Sequence, residues 1–269
     1  MKISELFEVI LHHDKLPKRS QDKFLYRGVD LKTLLIYLIS NKMIRINEKN
    51  SEKYGIEEFY VYSKPGKIAD DYTSFHKTAY LSGALSFTWN PDFFKNDSHA
   101  IDKNYSIILT LDRSKLQLDY KIQPYHDPVL DLEEFQSEEI IVGKDILDLS
   151  SKIIRTSIIN STEFRDAKIY ILEFVLSSFF KDRHEQIKIP FLFNFVEKAL
   201  KSFGNSDLLI VYSLLSSKDS YLSKHEINKK NDIITKWNNY VDLFINQKTP
   251  LKTYSNIDQF IAFEKSNLK

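Results

Sequence analysis

Glu133 to Gly143 reads Glu-Glu-Phe-Gln-Ser-Glu-Glu-Ile-Ile-Val-Gly, a knot of carboxylates that runs straight into a β-branched run. Ile140, Ile141 and Val142 favour a buried strand, whereas carboxylates are almost never buried unless paired. Strand side chains alternate between faces, so Gln136 and Glu138 are expected on one side and Ser137 and Glu139 on the other. This spacing sets an amide, which both donates and accepts, beside a carboxylate, which only accepts, at the rim of a sheet. The same residues would also form a solvated acidic turn ahead of a strand, and the segment alone leaves both readings open.

The elements that must position these groups follow from the pattern. Ile3, Leu6, Phe7, Ile10 and Leu11 recur at helical spacing. Phe24 to Val29 predicts a strand that carries an arginine, and Asp30 an N-cap for a helix bearing Leu31, Leu34, Leu35 and Leu38. Phe59 to Tyr62 and Ala84 to Thr88 are strand-like, and Trp89-Asn90-Pro91-Asp92 ends the second with a turn. Further strands are expected at Tyr105 to Leu111, at Leu118 to Gln123 and within Ile146 to Ile159. Beyond about residue 160 the texture becomes helical, with helices predicted over Glu163 to Phe180, Phe191 to Phe203, His225 to Asn246 and Asn256 to Lys265. Leu208 to Leu215 fits either period. Gly204 stands where a helix C-terminus favours glycine. A mixed, strand-rich half followed by a helical half is an α+β organisation.

Composition narrows the class. With 42% hydrophobic and 28% charged residues the chain reads as globular, and 269 residues suffice for a full core. A formal charge of +1 supplies no global field for nucleic acid. The absence of cysteine excludes disulfides and thiolate metal sites. Met1 to Glu5 carries no signal-peptide pattern and no apolar run reaches about 18 residues, so a cytoplasmic location without membrane contact is expected. Six glycines form no phosphate-cradling loop, and no metal-ligand signature is present. His12 and His13 point apart on a helix and make a poor metal pair. His126-Asp127 reads as a solvated loop, and Lys224, His225, Lys229 and Lys230 as a solvated helix face.

Three pieces stand in a fixed order: an arginine in an early strand, a Ser-Phe-Thr strand, and a Gln-Ser-Glu at the mouth of a later one. Together they resemble the Arg–Ser–Glu class of mono-ADP-ribosyltransferases, whose members cleave NAD+ and pass ADP-ribose to a target. Tyr26-Arg27-Gly28 is similar to the family's arginine strand. Ser86-Phe87-Thr88 is similar to its Ser-Thr-Ser element, with phenylalanine at the second position, and Gln136-Ser137-Glu138 matches its (Gln/Glu)-x-Glu element. Asp112 to Leu116 with Tyr120 to Pro124 also resembles phage-encoded proteins of this type. The resemblance covers about residues 20 to 160.

The resemblance implies a split β-sandwich with flanking helices over residues 1–160 and a mainly helical C-terminal region over 161–269. It implies Glu138, Gln136 and Ser86 as catalytic residues, and Arg27, Tyr26, Gly28, Ser86, Phe87, Thr88 and Phe93 as the groups that hold NAD+, which is a substrate; no metal is called for. Breaking the nicotinamide–ribose bond develops oxocarbenium-like charge. Glu138 would face that charge and hydrogen-bond a ribose hydroxyl, with Ser86 fixing its rotamer. Arg27 would hold the phosphates, for which a guanidinium fork suits better than lysine. Phe87, Trp89, Phe93 and Phe94 would wall the nicotinamide pocket, or simply be core. Glutamine at 136 goes, within the family, with a side-chain amide or a nucleic-acid base as acceptor rather than arginine. Glu139 is the neighbouring alternative to Glu138. The biological setting implied is that of a toxin or phage-conflict effector, with a neutralising protein as an expected partner. Two other readings stay open: an NAD+ glycohydrolase, and a non-catalytic module that binds nucleic acid or protein. The aromatic C-terminal helices are expected to pack internally and to wall the acceptor's docking site, because such apolar area is costly in water.

Overall fold

Phe24–Val29 forms β1, in which Leu25 and Val29 belong to one core and Phe24 and Tyr26 to another. The computed structural model describes residues 23–44, 84–96, 107–124, 138–181 and 190–267. The expectations at Ile3 to Leu11, Phe59 to Tyr62, His126-Asp127, Gln136 and Ser137 lie outside the described residues. Asp30 caps helix α1 (Leu31–Ser40) as expected, its carboxylate accepting from the Thr33 amide at 2.6 Å. Strand β2 (Lys42–Met43) pairs with β7 (Ile146–Leu147) as a separate two-stranded ribbon.

The remaining strands are β3 (Ala84–Thr88), β4 (Ile107–Asp112), β5 (Ile122–Pro124), β6 (Glu138–Val142), β8 (Ile153–Ile158) and β9 (Leu251–Thr253). With β1 they make one sheet in the order β5-β6-β3-β1-β4-β8-β9. Every pairing is antiparallel except β8 with β9, so the protein is α+β with a mixed sheet.

Where a strand was expected at Leu118 to Gln123, the chain forms helix α3 (Arg113–Asp119) and enters β5 only at Ile122. The Asp112 carboxylate caps that helix through the Lys115 amide and the Ser114 hydroxyl. Leu116 is buried while Leu118 is 84% exposed, so the apolar residues do not alternate as a strand requires. The stretch Ile146 to Ile159 divides into β7, the short helix α4 (Leu149–Lys152) and β8. Another short helix, α2 (Phe93–Asn96), follows the turn after β3.

The C-terminal helices are α5 (Ser161–Lys181), α6 (Pro190–Ser202), α7 (Leu208–Ser216), α8 (Lys224–Lys248) and α9 (Ile257–Asn267). Gly204 has φ +94° just past α6, a left-handed conformation that glycine adopts without steric cost. The ambiguous Leu208 to Leu215 is helical, with Asp207 accepting from the Leu209 amide at its N-cap.

These helices do not stand apart from the strand-rich part. Helix α1 packs against α5, α6 and α8, and one continuous core joins Leu25, Leu85, Phe87 and Ile141 of the sheet to Leu172, Phe195 and Trp237. The other face of the sheet is covered by α9 and α2, where Phe94 and Phe260 pack on Tyr26 and Ile108. No helix among the described residues is long and apolar enough to cross a membrane.

Candidate active site

The three motif-bearing strands are neighbours, in the order β6-β3-β1. Thr88 lies across from Tyr26 on one side and from Glu138 on the other, while Ser86 faces Ile140 and Phe87 faces Glu139. Neighbouring strands lie about 4.8 Å apart, so the backbones of β1 and β6 are separated by about 10 Å across β3. Arg27 bridges part of that span. Its Nη1 donates to the Ser86 carbonyl at 2.8 Å and stands 3.5 Å from the Ser86 hydroxyl. The guanidinium is thus held against β3 by a charge-assisted bond, with the side chain largely buried. Glu138 opens β6 directly across from Thr88.

The other residues of the motif elements have mainly interior roles. Tyr26 is fully buried; its hydroxyl donates to Glu264 Oε2 at 3.3 Å and its ring meets Phe260 edge-on. Gly28 lies across from Ile108 within β1. Phe87 is 2% exposed and belongs to the main core. The Thr88 hydroxyl closes the turn after β3, accepting from the Asn90 amide at 3.1 Å. Phe93 is half-buried and edge-on to Phe94 at the margin of the second core.

Two buried ion pairs were not anticipated from the sequence. Arg113 of α3 reaches Glu139 of β6 inside the main core, with side chains 9% and 3% exposed. Arg155 of β8 reaches Glu264 of α9 in the second core, where Glu264 is fully buried. Burial pushes the Glu264 carboxyl above its ordinary value, although Arg155 and the Tyr26 hydroxyl pull the other way. The Tyr254 phenol is likewise raised by burial. A sequence signal for Glu264 exists: it follows Phe260 by four residues and Ile261 by three, which places it on the apolar side of its helix. For Glu139 the signal is its period-two spacing from Ile141.

Among the described residues no group of three or more His, Asp or Glu side chains is arranged to hold a metal ion. Comparison with protein-family models, with curated proteins and with solved structures gives no match for this chain.

Proposed function

We propose that the protein is an NAD+-dependent mono-ADP-ribosyltransferase that uses a nucleic-acid base or a protein side-chain amide as acceptor. The observation that supports this reading best is the adjacency of the three motifs, which lie far apart in the sequence. Arg27 on β1 is hydrogen-bonded to Ser86 on β3, and β3 pairs with the strand that Glu138 opens. In this reading Arg27 holds the cofactor's phosphates, Glu138 faces the oxocarbenium-like charge that develops at the ribose, and Gln136 presents an amide to the acceptor. The split β-sandwich of the family, a cytoplasmic location and a role as a toxin or phage-conflict effector with a neutralising partner belong to the same proposal.

Nicotinamide release from NAD+ by purified full-length protein, with nucleic acid or cell extract as acceptor, tests it. Release should fall by about 10²–10³-fold in Glu138→Gln, and mass spectrometry should find ADP-ribose on a base or an amide. Free ADP-ribose alone would make the protein an NAD+ glycohydrolase. No release with any acceptor, from a sample that is folded, sinks both enzymatic readings.

A further inference from the structure

Arg113 is the first residue of α3, and two of its groups tie down two different strands. Its backbone N–H donates to the Lys23 carbonyl at 3.0 Å, just ahead of β1. Its guanidinium Nη2 donates to Glu139 Oε1 in β6. One residue therefore connects the beginnings of the strands that carry Arg27 and Glu138. Arg113 Nη1 and Glu139 Oε2 are buried without a hydrogen-bond partner among the described residues, so each ion depends chiefly on the other for compensation.

That dependence bears on register. Glu139 lies across from Phe87 on one side and from Pro124 on the other. The side-chain period of a strand is two, so a slip of β6 by one residue would exchange its two faces, bringing Glu138 to the place of the carboxylate in one direction and Ile140 in the other. The first slip would turn Glu138 away from the site face, and the second would leave Arg113 a buried cation without its anion, which is far more costly than a misplaced apolar contact. A buried polar group can specify register, as a single buried asparagine does in coiled coils. Glu139 is also too deeply buried and too committed to Arg113 to approach a substrate itself.

We infer that Glu139, held by Arg113, is a positioning residue: it locks the register of β6 and so fixes where the backbone of Glu138 stands relative to Ser86 and Arg27. The inference rests on the transferase reading given above.

The test uses the full chain as Glu139→Gln and as Arg113→Met/Glu139→Met, each first checked for cooperative unfolding. The apolar double variant should fold, because it removes both buried charges together. Its kcat for nicotinamide release should nevertheless fall by about 10²-fold, the size of effect that a small misplacement of a reacting group produces. KM for NAD+ should change little, and amide hydrogen exchange over residues 138–142 should accelerate. Glu139→Gln keeps an acceptor for Arg113 and should retain more activity than the double variant. Wild-type turnover by the double variant would reduce the pair to a merely structural role. Equal inactivity of both variants with unchanged exchange in β6 would make Glu139 the catalytic carboxylate. A wild-type protein that releases no nicotinamide overturns the transferase reading instead. Exchange in β6, which needs no substrate, still judges the lock in that case: unchanged exchange in the double variant overturns it.

Discussion

Arg27 leaves the line of its own strand to donate to the carbonyl of Ser86, and that contact requires a group that can donate in more than one direction. A guanidinium offers five donors in a rigid fork, which suits it both to grip β3 and, in the proposed reading, to bind a phosphate; an ammonium is a point charge and offers no such fork. Arg27→Lys should therefore keep the positive charge but lose the shared geometry. A charge-assisted hydrogen bond contributes about 1.5–3 kcal/mol, which corresponds to about a tenfold to hundredfold rise in KM for NAD+. Steady-state kinetics at matched folded fraction checks this, and an unchanged KM would remove Arg27 from the phosphate-binding role. The resemblance carried by the order and strand contexts of the three motifs led to the expectation that they lie together, and the strands that bear Arg27, Ser86 and Glu138 are neighbours. The interior duty of Tyr26 was not legible, because it depends on Glu264, a partner distant in sequence, whereas core was one of the two readings open for Phe87.

At the scale of elements, each buried ion pair pins one piece of secondary structure to the sheet. Arg113→Met leaves Glu139 buried without its counter-charge, and breaking such a pair from one side costs about 3–5 kcal/mol, whereas replacing both ions is often neutral. Urea unfolding should accordingly show a large loss for the single variant and recovery for Arg113→Met/Glu139→Met; equal losses would mean that the pair is solvated. The Glu264 pair answers to pH. Its folded-state pKa lies above the ordinary value of 4.5, so its contribution to stability is fully present below that value and is lost as pH rises through the raised one. The stability of the wild type relative to Glu264→Gln should therefore decline as pH increases over that interval, and a difference that grows instead would reverse the assigned sign. Strands and helices with long periodic patterns, such as β1, α5 and α8, were legible in the sequence. Three-residue β9 was not: Leu251-Lys252-Thr253 is too short to show a period, and its strand character comes from pairing with Thr156, Ser157 and Ile158. The strand expected over Leu118 to Gln123 failed for a similar reason, since Leu118, Tyr120 and Ile122 mimic alternation while the cap at Asp112 decides for a helix that runs to Asp119.

For the molecule as a whole, the boundary near residue 160 falls at the junction of β8 and α5, yet the sheet and both cores cross it. Strand β9 extends the sheet beyond β8, and α9 covers the face that carries Tyr26. The last twenty residues, 250–269, thus supply Tyr254, Phe260 and Ile261, each at most 6% exposed. Burying one such side chain contributes about 1.5–3 kcal/mol, so together they account for about 5–9 kcal/mol before the Glu264–Arg155 pair is considered. Whole-domain stability is about 5–15 kcal/mol. A chain ending at residue 249 should therefore be marginal or unfolded at room temperature, with Phe24, Tyr26 and Phe94 stripped of their cover. A chain ending at residue 160 should fare worse, because it also bares the main-core face of α1 and the sheet to water. Circular dichroism and a cooperative urea transition on both truncated chains decide the matter. A residue 1–160 fragment that is soluble, cooperatively folded and active on its acceptor would show that the helical region is a separable partner-binding module rather than part of the body that holds the site.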